Sequence, residues 1–364
     1  MVFAVGSSLV LALAVLGQHP SAKGQAPALS DQEVARLESR RLTNIRQATS
    51  GLAKAGEGYF SPDGGSIIFQ AVTHTPPAIF HQPKPDEDGY QIFLGALKPD
   101  SSARMVSTGK GRCTCSYFHP DGKSILFAST HLSPSTDVEP PKGPAYSRTA
   151  RYRWEFPDSM DIFSANLDGS NLVRLTAAPG YDAEGSYSPD GSKIVFTSFR
   201  DGDGEIYIMD ADGKNPRRIT HSKGYDGGPF FSPDGQRIIY RSDRRGDDLL
   251  QIYMNDVDGK SERALTQNEF VNWGPYWRPD GKEIIYATSR HGHSNYELYL
   301  MDVESGREER VTYHEGFDGL PVFSPDGGRL MWTSSGRTAD HKSQLFIADY
   351  RPGPVAPDAK AAAR

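Results

Sequence analysis

Cysteine is all but missing from this chain: among 364 residues only Cys113 and Cys115 carry thiols. Two residues apart on an extended segment, they sit near the limit of disulfide reach with poor Cβ geometry, so no structural bridge is expected. They stay as buried free thiols, or bind a metal or sense oxidants beside a channel. An excess of positive charge is missing as well. Against 40 Lys and Arg stand 46 Asp and Glu, a net charge of -6, whereas nucleic acid or anionic lipid as a main partner would need a basic footprint. No Gly-x-Ser-x-Gly elbow, phosphate loop or dinucleotide fingerprint occurs, which removes the common signatures of ester hydrolysis and nucleotide chemistry. Long aliphatic runs are scarce, with mean hydropathy of -0.55. The exception, Val2 to Leu16, is too short and too poorly flanked to span a membrane and is followed by Ala26-Pro27-Ala28, a small-x-small cleavage pattern. A secretory signal over residues 1–28 is expected, and with it a periplasmic or secreted mature protein, although no Lys or Arg precedes the apolar run.

Turn chemistry and aromatic rings are what the chain has in abundance. The tripeptide Pro-Asp-Gly begins at Pro62, Pro120, Pro189, Pro233, Pro279 and Pro325, after an aromatic-rich run and before one such as Ile67-Ile68-Phe69 or Ile284-Ile285-Tyr286. Pro presets φ, Asp bonds its own backbone and Gly accepts a positive φ, so each copy reads as a hairpin turn. Between Tyr225 and Thr266 four short β-branched and aromatic runs are separated by such punctuation, the pattern of an antiparallel meander. Intervals of 58, 69, 44, 46 and 46 residues between the prolines fit a propeller-blade period, with insertions at Ala71 to Gly89 and His131 to Ser159. These Pro-rich insertions suit a wall or lid on the funnel. The expected fold class is all-β: a six-bladed β-propeller of four-stranded antiparallel blades over residues 45–350. A strand ending each unit, as in Arg217-Arg218-Ile219-Thr220, also stands ahead of the first unit at Asn44-Ile45-Arg46-Gln47-Ala48-Thr49 and is missing after Leu345 to Tyr350. The N-terminal strand is therefore expected to complete the last blade and close the ring. Ser30 with Glu33 three residues on predicts a short helix within residues 29–44, and residues 351–364, rich in Pro and Ala, are expected to be loose.

The repeat of Ser-Pro-Asp-Gly, an Ile-x-Phe/Tyr-x-Ser strand, an Arg-x-Gly loop, an Ile-Tyr-x-Met strand, an Asp-Gly turn and an Arg-x-Thr strand resembles the propeller of the TolB-like family, over residues 45–350. The resemblance implies a six-bladed propeller in an exported protein. The family's eponymous member carries an α/β domain ahead of its propeller and engages an envelope complex through it; residues 29–44 are too few for such a domain, so none is expected here. Function is accordingly read as non-enzymatic binding or scaffolding of a protein or small ligand at the channel mouth. The competing reading is a metal-dependent propeller enzyme, a polysaccharide lyase or lactone hydrolase.

Candidate site residues follow from the repeat. Seven residues before the repeat Pro stand Asp182, Asp226, Asn272 and Asp318, and five before it Glu57, Cys115, Glu184, Gly228, Gly274 and Leu320. If inner strands line the channel, Glu57, Asp182, Glu184, Asp226, Asn272 and Asp318 form an acidic mouth. Oxygen ligands such as Asp182, Asp226 and Asp318 suit a divalent cation like Ca²⁺, or a cationic group on a partner; alternatively each Asp caps its own loop. Arg200, Arg244 and Arg290, with His131 in register, are expected to pair with a neighbouring blade's Asp. The alternating acids of Asp201, Asp203 and Glu205 and of Asp210 to Asn215 lack a complete calcium loop and read as turns. His291 and His293, with His74, His81, His221, His314 and His341, read as solvated loop residues, or as a transition-metal site if they converge.

Overall fold

The computed structural model describes residues 29–73, 89–98, 102–132 and 156–356. The expected leader, most of both insertions and residues 357–364 lie outside them. Six four-stranded antiparallel sheets follow one another as blades, and five are simple meanders. The sixth is ordered with Asp318–Phe323 innermost, then Arg329–Ser334, Gln344–Tyr350 and, outermost, Leu42–Gln47 from the N-terminus. Ring closure by the N-terminal strand is thus as expected, with the strand beginning three residues earlier, at Leu42 rather than Ile45. Pairing of Leu42 with Tyr350 and of Gln47 with Phe346 hides two edges that would otherwise be open to another chain.

In each blade the Pro-Asp-Gly turn joins the first strand to the second, as between Asp226–Phe231 and Arg237–Ser242. Gly64, Gly122, Gly191, Gly235, Gly281 and Gly327 all hold φ between +68° and +73°, a region that costs side-chain-bearing residues about 1 kcal/mol or more. The serine ahead of the proline completes the turn. Ser232 donates to the Asp234 carboxylate and accepts from the Arg237 N–H at 2.9 Å, and Ser61, Ser188 and Ser324 repeat the arrangement. Second strands such as Arg237–Ser242 are buried on both faces, which is why they read as continuous apolar runs. Between blades, Ile67, Ile125, Phe127, Ile284, Tyr286 and Trp332 are wholly enclosed.

The Arg-x-Thr pattern of the outer strands has a buried purpose. Arg174 and Thr176 bond Asp161, Arg218 and Thr220 bond Glu205, and Arg310 and Thr312 bond Glu297. In each case an acid opening the third strand is tied to the fourth, and the threonine hydroxyl also receives a third-strand N–H at 2.9 Å. These three acids hold short outer strands that have only two or three residues of ladder.

The predicted helix is Asp31–Glu38, with a complete capping box between Ser30 and Glu33. Its last residue, Glu38, is buried against Arg337 at 2.6 Å, and Arg41 grips Glu309 of the fifth blade and the carbonyls of Arg351, Gly353 and Pro354. Residues 351–356 are consequently docked, with Val355 buried, which corrects the expectation of a loose tail for that part of it.

Candidate functional site

The first strand of every blade lies innermost, and in every blade its pairing with the second strand slips. At the slip stand Glu57, Cys115, Glu184, Gly228, Gly274 and Leu320, all left-handed with φ between +47° and +59°. A bulge of this kind bends the strand and re-aims one residue out of the alternation. All six line a single cavity of about 160 Å³ on the ring axis. Two residues further toward the Pro-Asp-Gly face, Tyr59, Tyr117, Phe230 and Tyr276 pack ring to ring with centroids 5.0 to 6.3 Å apart, and Tyr59, Phe230 and Tyr276 form its floor. Arg112, Met160 and Tyr181 stand at its opposite end, on the face that carries the insertions.

One wall is built around Arg241. Its Nη2 lies 2.6 Å from Glu184 Oε1 and 2.7 Å from the Tyr225 hydroxyl, and its guanidinium rests over the Tyr225 and Trp273 rings. Burial works against its charge, yet Glu184, Tyr225 and Glu57 hold its pKa above the ordinary arginine value. Glycine at two neighbouring positions makes the room: a Cβ on Gly228 would fall inside the guanidinium and one on Gly227 inside the Tyr225 ring. Glu184 is saturated, accepting also from the Tyr225 hydroxyl at 2.6 Å and from the Gly228 N–H and Thr197 hydroxyl at 2.8 Å each.

Glu57 is different. Among the described residues its carboxyl meets only the Tyr59 hydroxyl at 3.5 Å and the Cys115 thiol at 3.9 Å. Burial, with Glu184 adding to it and Arg241 opposing, pushes its pKa up to about 7.

Of the expected acidic mouth, the structure brings Glu57 and Glu184 to the channel and sends the other four elsewhere. Asp182, Asp226 and Asp318 are buried away from the cavity, each under an arginine: Arg200 at 3.1 Å, Arg244 at 2.9 Å and Arg337 at 3.3 Å. These are same-blade pairs, not the neighbouring-blade pairs expected, because the residue opening the first strand stands opposite the end of the second, as Asp226 does opposite Ser242. Burial raises the pKa of all three; Asp226 is pushed up to about 6 against the pull of Arg244. Asn272 donates to Gln251 and Asn268 at 3.1 and 2.9 Å, and with no acid at that place Arg290 turns to Glu308 instead. The three aspartates therefore do not converge as a calcium set, and among the described residues no three His, Cys, Asp or Glu side chains group as metal ligands. His131 bonds Ser129, and His291 bonds Tyr299; His74 and His81 lie outside the described residues. The cysteines are unbridged, Cys113 buried against Ser129 and Cys115 in the channel.

Beside the channel on the same face lies an aromatic pocket of about 310 Å³, walled by Phe156, Tyr225, Leu250, Trp273, Tyr296 and Phe317. Trp273 lines both spaces. Phe156 stacks on Phe199 and Tyr225 at 4.7 and 5.1 Å, so the end of the second insertion is anchored at this mouth. Neither Arg241 nor this pocket was foreseen. Arg241 could have been: the same place in the other second strands holds Gln70, Ala128, Thr197, Ala287 and Thr333, and a lone arginine among short or neutral residues is the departure to look for.

The model of the TolB beta propeller domain matches residues 199–291 and 250–357. The Tol-Pal system protein TolB of Bordetella pertussis is 51% identical over 39 residues, 11% of this chain and 9% of that protein, and a TolB homolog of Chlorobium luteolum is 36% identical over 55 residues, 15% of this chain and 13% of that protein. These matched stretches span only about a tenth of the curated relatives' length. Among solved structures, TolB from Acinetobacter baumannii superposes with a TM-score of 0.54 at 22% identity, over 84% of this chain and 66% of that one. An oligogalacturonate lyase from Vibrio parahaemolyticus superposes with 0.51 at 12% identity, over 84% and 93%. At these identities the likeness is one of fold.

Proposed function

We propose, from the premise that the chain is a TolB-like six-bladed β-propeller, that it is a non-enzymatic binding module of the periplasm or extracellular space whose ligand enters the axial channel from the insertion-bearing face. The observation that carries this is the convergence of all six bulges on one cavity, floored by rings and sharing Trp273 as a wall with an aromatic pocket. Concave, largely apolar space with a few fixed polar groups is what ligand sites look like. Strained left-handed residues at Glu57, Cys115, Glu184 and Leu320 fit the same reading, because such conformations persist where the surrounding structure over-determines them.

Thr114→Trp would fill the channel from its wall while leaving Arg241 and Glu57 themselves unsubstituted. A melting-temperature screen of small molecules and short peptides should yield binders of the wild type that Thr114→Trp, itself melting normally, no longer takes. Binders indifferent to that substitution would remove the channel from the account. The lyase reading is tested on oligogalacturonate with and without added divalent metal: an unsaturated product would replace the binding module with an enzyme.

A further inference from the structure

Two carboxyl groups in the channel face each other's fields, but only one has a full set of partners. Glu184 accepts four kinds of donor including the Arg241 guanidinium, and so balances that arginine locally. Glu57, across the axis, has no ion-pair partner among the described residues; it feels Tyr59 on its own strand, Cys115 on the next blade, Glu184 beyond and Arg241 at longer range. The remaining titratable lining is Arg112 at the mouth, Tyr181 on one wall and Tyr276 in the floor, and the adjoining pocket adds Asp243, Asp248 and His293. A carboxyl in such a place is held partly protonated by burial, and a positive charge beside it would be received twice, by the carboxylate and by the faces of the surrounding rings.

Resting on the binding-module reading, we infer that the channel is a site for an organic ammonium ion, with Glu57 as its counter-charge and the adjoining aromatic pocket as the seat of its apolar body. An inorganic cation is disfavoured because calcium asks for six or more oxygens and the channel offers one open carboxyl. A carboxylate ligand is disfavoured because Arg241 is already neutralised at 2.6 Å by Glu184 and a second anion would meet Glu57. The cavity sizes suit a short amine on an aromatic ring: the roughly 160 Å³ channel holds the head, and the roughly 310 Å³ pocket beyond Trp273 holds the ring.

The test is calorimetric titration of the full chain with 2-phenylethylamine and with phenylacetate, its anionic counterpart, at pH 6 and pH 8. Because the ammonium binds ionised Glu57, amine affinity should rise about tenfold between these pH values, with release of close to one proton on binding at pH 6 and little at pH 8. Glu57→Gln, which keeps the side chain's size, should bind the amine at least tenfold more weakly at pH 8 and lose the pH dependence. Preference for phenylacetate, an amine affinity that is flat with pH, or unchanged binding in Glu57→Gln would each overturn the ammonium site. So would amine displacement by millimolar calcium that Glu57→Gln abolishes. Should the amine fail while other channel binders remain sensitive to Thr114→Trp, the ammonium inference falls and the binding-module reading stands.

Discussion

Glu57 carries the sharpest consequence for single-residue chemistry. Its folded pKa of about 7 lies above the 4.5 of an unperturbed glutamate, so the folded chain keeps a proton that the unfolded chain gives up. Stability must fall as pH rises from about 4.5 to about 7 and the cost is complete above that. Glu57→Gln removes the titration. We expect it to raise the melting temperature at pH 8, by an amount equivalent to on the order of 1–2 kcal/mol after allowance for the residue's partial exposure to the channel, and to leave it near wild type at pH 5. An equal gain at both pH values would show that packing, not charge, is responsible. Gly228 offers a steric test at the same site. Gly228→Ala combines a left-handed φ of +59° with a Cβ that collides with Arg241, whereas Gly246→Ala at +70° meets nothing within 4 Å. The first should cost clearly more than the roughly 1 kcal/mol of the second in a denaturant titration, and parity between them would mean that the Arg241 wall yields easily.

Blades are held by acids in two different ways. Those opening the first and third strands, such as Asp226 and Glu205, are structural: each is buried and answered by an arginine of its own sheet. Arg244 serves both Asp226 and Glu262 and lies over the Tyr253 ring at 4.1 Å. Arg244→Met should therefore strand a buried carboxylate and cost about 3–5 kcal/mol at pH 8. With the guanidinium gone, Asp226 must titrate above its present value of about 6, so lowering the pH toward 5 protonates it and recovers part of the loss. A deficit in thermal melts that does not shrink from pH 8 to pH 5 would contradict this account of the pair. The acids at the bulges, Glu57 and Glu184, belong to the other kind, because the slip in register turns them from the sheet to the axis.

The ring depends on a joint between chain ends. Leu42–Gln47 supplies the sixth blade's outer strand, Glu38 reaches Arg337, and Arg41 ties that strand to Glu309 and to the carbonyls of residues 351–354. Removing residues 29–50 would open two strand edges and leave Glu309 and Arg337 without these partners. The expected outcome is a markedly lower melting temperature and concentration-dependent association by light scattering. A truncated chain that melts like the full one and stays monomeric would dispose of closure as a source of stability.

By itself the sequence determined the repeat, the blade number, the turn glycines, the helix cap and the strand that closes the ring, because each depends on short-range chemistry written in consecutive residues: Ser61-Pro62-Asp63-Gly64 and its five counterparts bend wherever they occur. It also contained the six bulge positions, though as a column of unlike residues with no common chemistry. Which acids face the axial channel was decided only by the tertiary structure. Asp182 and Glu184 are two residues apart and alternation alone would put them on one side, yet the left-handed turn at Glu184 sends one to the channel and leaves the other beneath Arg200. Arg241 and Trp273, 32 positions apart in the chain and on different blades, meet only because the ring brings those blades together.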